Sequence, residues 1–117
     1  MLKPPDPRRL AIDILARSIC SVQVGAAIVD ISGRIISWGW NSVGAGMGMH
    51  AEHHAIRRAN KRRLEDATIY VASQRHKNGK AIGSCPCGDC MERIRSAGIT
   101  GIYYRLANGT WEDFYGA

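Results

Sequence analysis

The sequence predicts an α/β domain in which helices cover a five-stranded sheet, in the chain order α-β-β-α-β-α-β-β. Three observations predict it: two β-branched runs joined by a tight turn, two later apolar runs each preceded by an amphipathic stretch, and a hairpin signal near the C-terminus. The 117 residues suit a single domain over 1–117 with one core. A composition of 45% apolar and 22% charged residues with 4 prolines excludes a disordered or repetitive chain. No window approaches the roughly 20 apolar residues of a membrane span. Met1 to Pro7 lacks the apolar stretch of a signal peptide, so a cytoplasmic protein with no membrane partner is expected.

Pro4, Pro5 and Pro7 make the N-terminus an extended lead-in, after which Leu10, Ile14, Leu15 and Ile19 recur at helical spacing over about 8–20. Val22 to Asp30 and Arg34 to Trp40 are strand-like, and Ser32-Gly33 turns the chain between them. Residues 41–49 are glycine-rich and form a loop; their G-x-G-x-G lacks the strand and helix that a phosphate motif requires. Ala51 to about Leu64 reads as a basic amphipathic helix with Ala51, Ala55, Ile56, Ala59 and Leu64 on one face. Ala67 to Ala72 is a third strand, and Ser73 to Ser84 a polar loop. Pro86 to Ala97 is a helix with Pro86 in its first turn and Gly98 at its stop. Ile99 to Ala107 is the fourth strand, and Asn108-Gly109, with positive φ expected at both residues, turns it into a short fifth.

Net charge is +6 and the pI about 9.5, so the surface attracts anions such as nucleotides or a nucleic-acid backbone. Cys20 stands alone, whereas Cys85, Cys87 and Cys90 fall within six positions. A disulfide framework spreads its cysteines to close loops; neighbours in a reducing compartment more often hold a metal. His50-Ala51-Glu52 opens one helix and Pro86-Cys87-Gly88-Asp89-Cys90 another. One imidazole and two thiolates give zinc three ligands, His50, Cys87 and Cys90, and leave the fourth tetrahedral position for water, the pattern of a catalytic site. The helix start is expected to favour the thiolates. Glu52 suits proton transfer better than ligation. Cys85 and His54 are candidate fourth ligands, but Cys85 precedes Pro86 outside the helix, and His53 and His54 suit the helix surface or the core. Cys20 reads as a buried small hydrophobe.

H-x-E followed by P-C-x-x-C resembles the zinc-dependent nucleobase deaminases of the cytidine deaminase superfamily. The resemblance runs over about 8–115, through VGAAIVD, GWN, HAE, TIYVAS, SCPCGDC and AGITGIYY in order. It implies a three-layer α/β/α sandwich with a mixed five-stranded sheet, and a zinc cofactor. It further implies that Glu52 takes the proton of zinc-held water, that hydroxide attacks the ring carbon bearing the exocyclic amine, and that Glu52 protonates the departing ammonia. By the same resemblance the backbone N–H groups of Ala51 and Cys87 contact the base, and Asn41 hydrogen-bonds the substrate; read alone, Asn41 is a turn residue.

Substrate choice draws on departures from the family pattern. Free-cytidine deaminases usually carry a glutamate two positions after that asparagine, where this chain has Val43, and often begin the motif with cysteine, where it has His50. Only 8 residues follow Asn108-Gly109, fewer than a parallel crossover needs, so the chain resembles the hairpin-ended branch that includes free-cytidine deaminases. The expected reaction is cytosine to uracil in a free nucleoside or nucleotide. The alternatives are a deaminase of cytosine or adenine in single-stranded DNA or RNA, and a nonenzymatic zinc-stabilised nucleic-acid-binding module. Arg57 to Arg63 is either a solvated helix face or, with Arg75, Lys77, Lys80, Arg93 and Arg95, a phosphate-binding surface; Trp38, Trp40 and Trp111 are the candidates for stacking bases. Family analogy implies a homo-oligomer.

Overall fold

A computed structural model describes residues 6–43 and 48–114. The proline lead-in over 1–5, the middle of the glycine-rich loop over 44–47 and the end over 115–117 lie outside the described residues. Asp6 caps the first helix, its carboxylate accepting the Arg8 N–H at 2.9 Å, and Pro7 occupies the first helical position, where its missing N–H costs nothing. The elements run α1 (Pro7–Leu15), β1 (Val22–Val29), β2 (Ile35–Trp40), α2 (Ala51–Arg58), β3 (Thr68–Arg75), β4 (Ala81–Ile82), α3 (Gly88–Ser96), β5 (Gly101–Arg105) and β6 (Trp111–Asp113). Among the described residues no helix is long and apolar enough to cross a membrane.

The sheet has the order β2-β1-β3-β5-β6, with β4 paired to the end of β3. It therefore has six strands rather than five, because Ser73 and Gln74 of the expected polar loop continue β3 and pair with Ile82 and Ala81. Pairing with Val22 to Val24 of β1 overrides the polar composition there, and Gln74 donates to the Gln23 side chain at 2.8 Å. Only β3 and β5 are parallel, joined through α3; the terminal β5–β6 pair is antiparallel, as expected.

Side-chain alternation builds one apolar layer on each face. Ala26, Ile28, Ile69, Val71 and Ile102 join Ala55 and Ile56 of α2 and Met91 and Ile94 of α3 on one side. Ala27 and Ala72 join Ala11 and Leu15 of α1 on the other, completing the three-layer sandwich. Two glycines set the spacing. A Cβ at Gly25 would run into the Ala11 carbonyl and lie 2.8 Å from the Leu15 nitrogen; one at Gly39 would lie 2.5 Å from the Ala55 nitrogen and 2.7 Å from the Ala51 oxygen. Backbone approaches backbone at both places, which no side chain permits.

Several boundaries differ from expectation. α1 stops at Leu15, and Ile19 is 77% exposed, because Arg17 and Ser18 close tight turns onto Ile14 and Leu15 and Ser18 Oγ then accepts the Cys20 N–H. α2 stops at Arg58; Ala59 is extended and Asn60 caps a separate 3₁₀ turn over Lys61–Arg63, a break that carries Leu64 into the core. α3 starts at Gly88 with Cys87 as N-cap, so Pro86 precedes the helix instead of occupying its first turn. It ends as expected at Gly98 (φ 95), where Gly98 N–H bonds the Arg95 carbonyl and Ile99 N–H the Ile94 carbonyl. At the second hairpin only Gly109 has positive φ: Gly109 N–H bonds the Leu106 carbonyl and Leu106 N–H the Thr110 carbonyl, a three-residue loop. Asp30, Gly33 and Arg34 repeat that pattern in the first.

Candidate active site

His50 and Cys87 occupy equivalent places: each is the N-cap of a helix, in extended conformation, and neither side chain makes a capping hydrogen bond. An ordinary cap would turn a Ser, Thr, Asp or Asn oxygen back onto the helix amides. Here the imidazole and thiol point to a shared centre, joined by Cys90 from the first turn of α3. His50 Nδ1 and Cys90 Sγ are 3.0 Å apart, and the ligand atoms of His50, Cys87 and Cys90 all lie within 4.8 Å of one another. Soft sulfur with imidazole is a zinc donor set, and the cluster fits that ion. The state of Cys90 agrees. Burial, reinforced by the Glu52 charge and by Cys87, pushes its thiol far up, so the helix start does not by itself sustain the thiolate. A divalent cation supplies the missing positive charge.

Glu52 lies one residue inside α2 and is only 5% exposed. Burial holds its carboxyl above the usual carboxylate range, against the opposing pull of His50 and Cys90. Glu52 lines a cavity of about 490 Å³ together with His50, Cys87, Cys90 and Ala51 at the helix start. Such a carboxyl, at the wall of a cavity beside a zinc donor set, is placed to take and return a proton.

Asn41 also lines this cavity, yet its amide is engaged in the fold: Oδ1 accepts the Val24 N–H and Nδ2 donates to the Val22 carbonyl, both at 2.8 Å. It clamps the start of β1 and retains one hydrogen and one acceptor site facing outward. Cys20, expected to be buried, is half-buried and lines the same cavity, its Sγ 3.9 Å from the Asn41 carbonyl. Sequence reasoning gave no role to Ser73 and Ser84, which end TIYVAS and open SCPCGDC and stand buried in the cavity wall.

The alternative ligands fall away from the cluster. Cys85 is exposed on the cavity wall, and His53 faces Arg93. His54 Nδ1 sits 3.2 Å from both the nitrogen and the oxygen of Trp40, covering the outer edge of β2, where Arg58 Nη1 also donates to the Trp38 carbonyl at 3.2 Å. Among the described residues no fourth protein ligand joins His50, Cys87 and Cys90. A structural zinc site would need one.

Solved structures share the fold. The dCMP deaminase of cyanophage S-TIM5 is 24% identical, with a TM-score of 0.66 over 86% of this chain and 79% of its own. The cytidine deaminase of Burkholderia pseudomallei is 19% identical, with a TM-score of 0.66 over 92% and 88%. That of Mycobacterium leprae is 21% identical, with a TM-score of 0.61 over 91% and 88%. No curated protein matches the sequence. The family model for the cytidine and deoxycytidylate deaminase zinc-binding region matches residues 8–106, which include the whole zinc cluster and both helices that present it. This chain is accordingly a member of the cytidine and deoxycytidylate deaminase family of zinc-dependent hydrolases.

Proposed function

We propose that the protein converts cytosine to uracil, with release of ammonia, in a free nucleoside or nucleotide. The observation that carries this reading is a buried Glu52 on the same cavity wall as the three-ligand cluster. His50, Cys87 and Cys90 hold the zinc, which when bound supplies the Lewis acidity that makes water acidic enough to act near neutral pH. Glu52 accepts the proton of the attacking water and delivers it to the exocyclic nitrogen, so that water is consumed and ammonia leaves. The Ala51 and Cys87 N–H groups, directed outward from two helix starts, orient the base. The outward part of the Asn41 amide meets the sugar, and Val43, exposed at the cavity rim, offers it no hydrogen bond.

Deamination of single-stranded nucleic acid is the weaker reading. The Trp38 ring is engaged by Arg58 at 5.2 Å, and Trp40 by Arg17 at 5.2 Å and Arg58 at 5.8 Å, contacts that a stacking base would have to displace or share. Trp111 packs edge-on against Tyr70. A homo-oligomer in a reducing cytoplasm completes the proposal; the thiols Cys20, Cys85, Cys87 and Cys90 are all free.

The test is ammonia release by zinc-loaded protein from cytidine, deoxycytidine, their monophosphates, adenosine, guanine and a cytosine-containing oligonucleotide. Turnover of a free cytosine nucleoside or nucleotide is expected, and turnover of the oligonucleotide alone would overturn the substrate assignment. Glu52→Gln should keep its zinc and lose about 10²-fold or more in rate, the usual scale of a proton-transfer group. Unchanged ammonia release in that variant would remove Glu52 from the mechanism.

A further inference from the structure

The basic residues of α2 and α3 are not equivalent. Arg63 pairs with Asp30 at 3.1 Å, Arg58 lies over Trp38, Lys61 donates to the Ile56 carbonyl at 3.3 Å, and Arg95 lies over Phe114. Arg57 and Arg93 have no such use. They line a second cavity of about 310 Å³, in the groove between the two helices, whose inner wall is formed by His50 and Cys90. His53 stands one turn before Arg57 on the same face of α2 and lines the same cavity.

Arg93 reaches across the groove to the His53 ring. Arg93 Nη1 lies 3.2 Å from His53 Nδ1 and 3.1 Å from Nε2, sharing one end of the guanidinium between two ring nitrogens. The other donors of that planar fork meet no acceptor among the described residues. Neither Arg57 nor Arg93 forms an ion pair among the described residues, although Asp89 also lines the cavity. Residues 1–5, 44–47 and 115–117 contain no Asp or Glu. Two guanidinium groups against one carboxylate leave the cavity positive even with His53 neutral. A cavity lined by two guanidinium groups without an ion-pair partner attracts an anion.

The geometry points to a phosphate-binding site formed by His53, Arg57 and Arg93, which adjoins the cavity that Glu52 lines and shares with it Gly48, Met49, His50 and Cys90. Two guanidinium groups lining one cavity from neighbouring helices suit the several oxygens of a phosphate group better than a single-point anion. The ligand is a phosphate monoester or inorganic phosphate. It comes either from the substrate itself, reaching past the shared wall, or from a second molecule. Binding of phosphate here does not depend on the deamination reading.

Calorimetric titration of inorganic phosphate into zinc-loaded protein at fixed ionic strength tests the site. Saturable one-to-one binding is expected, weakened about tenfold by Arg93→Gln and by Arg57→Gln, the loss expected for one charge-assisted contact. Arg62→Gln, which removes the same charge from an exposed position outside the cavity, should leave it intact. All three arginines are exposed, so the variants fold, and zinc content and thermal midpoint confirm it. Absence of saturable binding, or equal weakening by all three substitutions, would overturn the proposal. The source follows from kinetics: Arg93→Gln raises KM for the monophosphate but not the nucleoside if the substrate's phosphate binds here, and neither if a second molecule does. Phosphate binding without deamination would leave this site standing and remove only the reading of the other cavity.

Discussion

Asp30 shows how much of a hairpin one carboxylate can hold. Its Oδ1 accepts the Ser32 hydroxyl at 2.6 Å and the Ser32 and Arg34 N–H groups at 3.0 Å, and its Oδ2 accepts Arg63 Nη1 at 3.1 Å. These bonds, the Ser32 hydroxyl foremost, hold the carboxyl at about 2, below the ordinary 3.8. A folded-state pKa below the unfolded one means that the unfolded chain binds the proton more tightly. The stabilisation is complete above 3.8 and is lost as pH falls through 3.8 toward 2. Asp30→Asn should therefore melt below the parent at neutral pH, with the gap closing across that acid window. A gap that stayed constant with pH would show that the charge of Asp30 has no part in it. The hairpin itself is legible, since Ser32-Gly33 announces a turn; the partnership with Arg63 is not, because it joins residues 33 positions apart. The same distinction divides the active site. His50, Glu52, Cys87 and Cys90 fall in two short motifs whose spacing is fixed by helix geometry. Ser73 reaches the cavity through strand pairing and Cys20 and Ser84 from the segments before β1 and after β4, and nothing local in the sequence tells of that placement.

At the scale of the element, two helices start on residues that ligate in place of capping. An uncapped N-terminus costs about 1 kcal/mol, and α2 and α3 each bear it at the position where the metal cluster forms. What fixes these helix starts is close packing, and Gly39 is its tightest point, with the Ala51 oxygen and Ala55 nitrogen where a Cβ would stand. Gly39→Ala should destabilise the domain by about 1–3 kcal/mol, the range for overpacking against rigid neighbours. By pushing the first turn of α2 outward it should also weaken zinc binding. Gly83→Ala is the control, since nothing lies within 4 Å of its added carbon. Denaturant melts and a zinc competition titration read both effects; equal stability of the two variants would show that α2 shifts without cost. The strand glycines illustrate the limit of sequence reading at this scale. Hydrophobic period gives the existence and order of every major element, whereas closeness of backbones, like the break at Ala59 and the continuation of β3 through Ser73, is set by partners distant in the chain.

The molecule as a whole is joined at its metal site. α2 and α3 pack side by side over one face of the sheet, and their starts, nearly forty residues apart in sequence, are brought together at His50, Cys87 and Cys90. Unfolding separates these ligands, so zinc bound to them favours the native state by the full linkage free energy, about 4 kcal/mol when free zinc is a thousandfold above its dissociation constant. Without the ion the domain keeps its two apolar layers but loses the tie between the helix starts, and Cys90 reverts to a neutral buried thiol. Chelation should therefore lower the thermal midpoint while a single cooperative transition persists, and added zinc should restore it. The effect should diminish at acid pH, where protons compete for the thiolates and the imidazole. Cys90→Ser, with a poor zinc ligand in a well-packed place, should melt near the chelated parent and respond little to zinc. Calorimetry with metal analysis on the same samples makes the comparison, and a midpoint indifferent to verified zinc removal would show that the cluster does not couple the two helices.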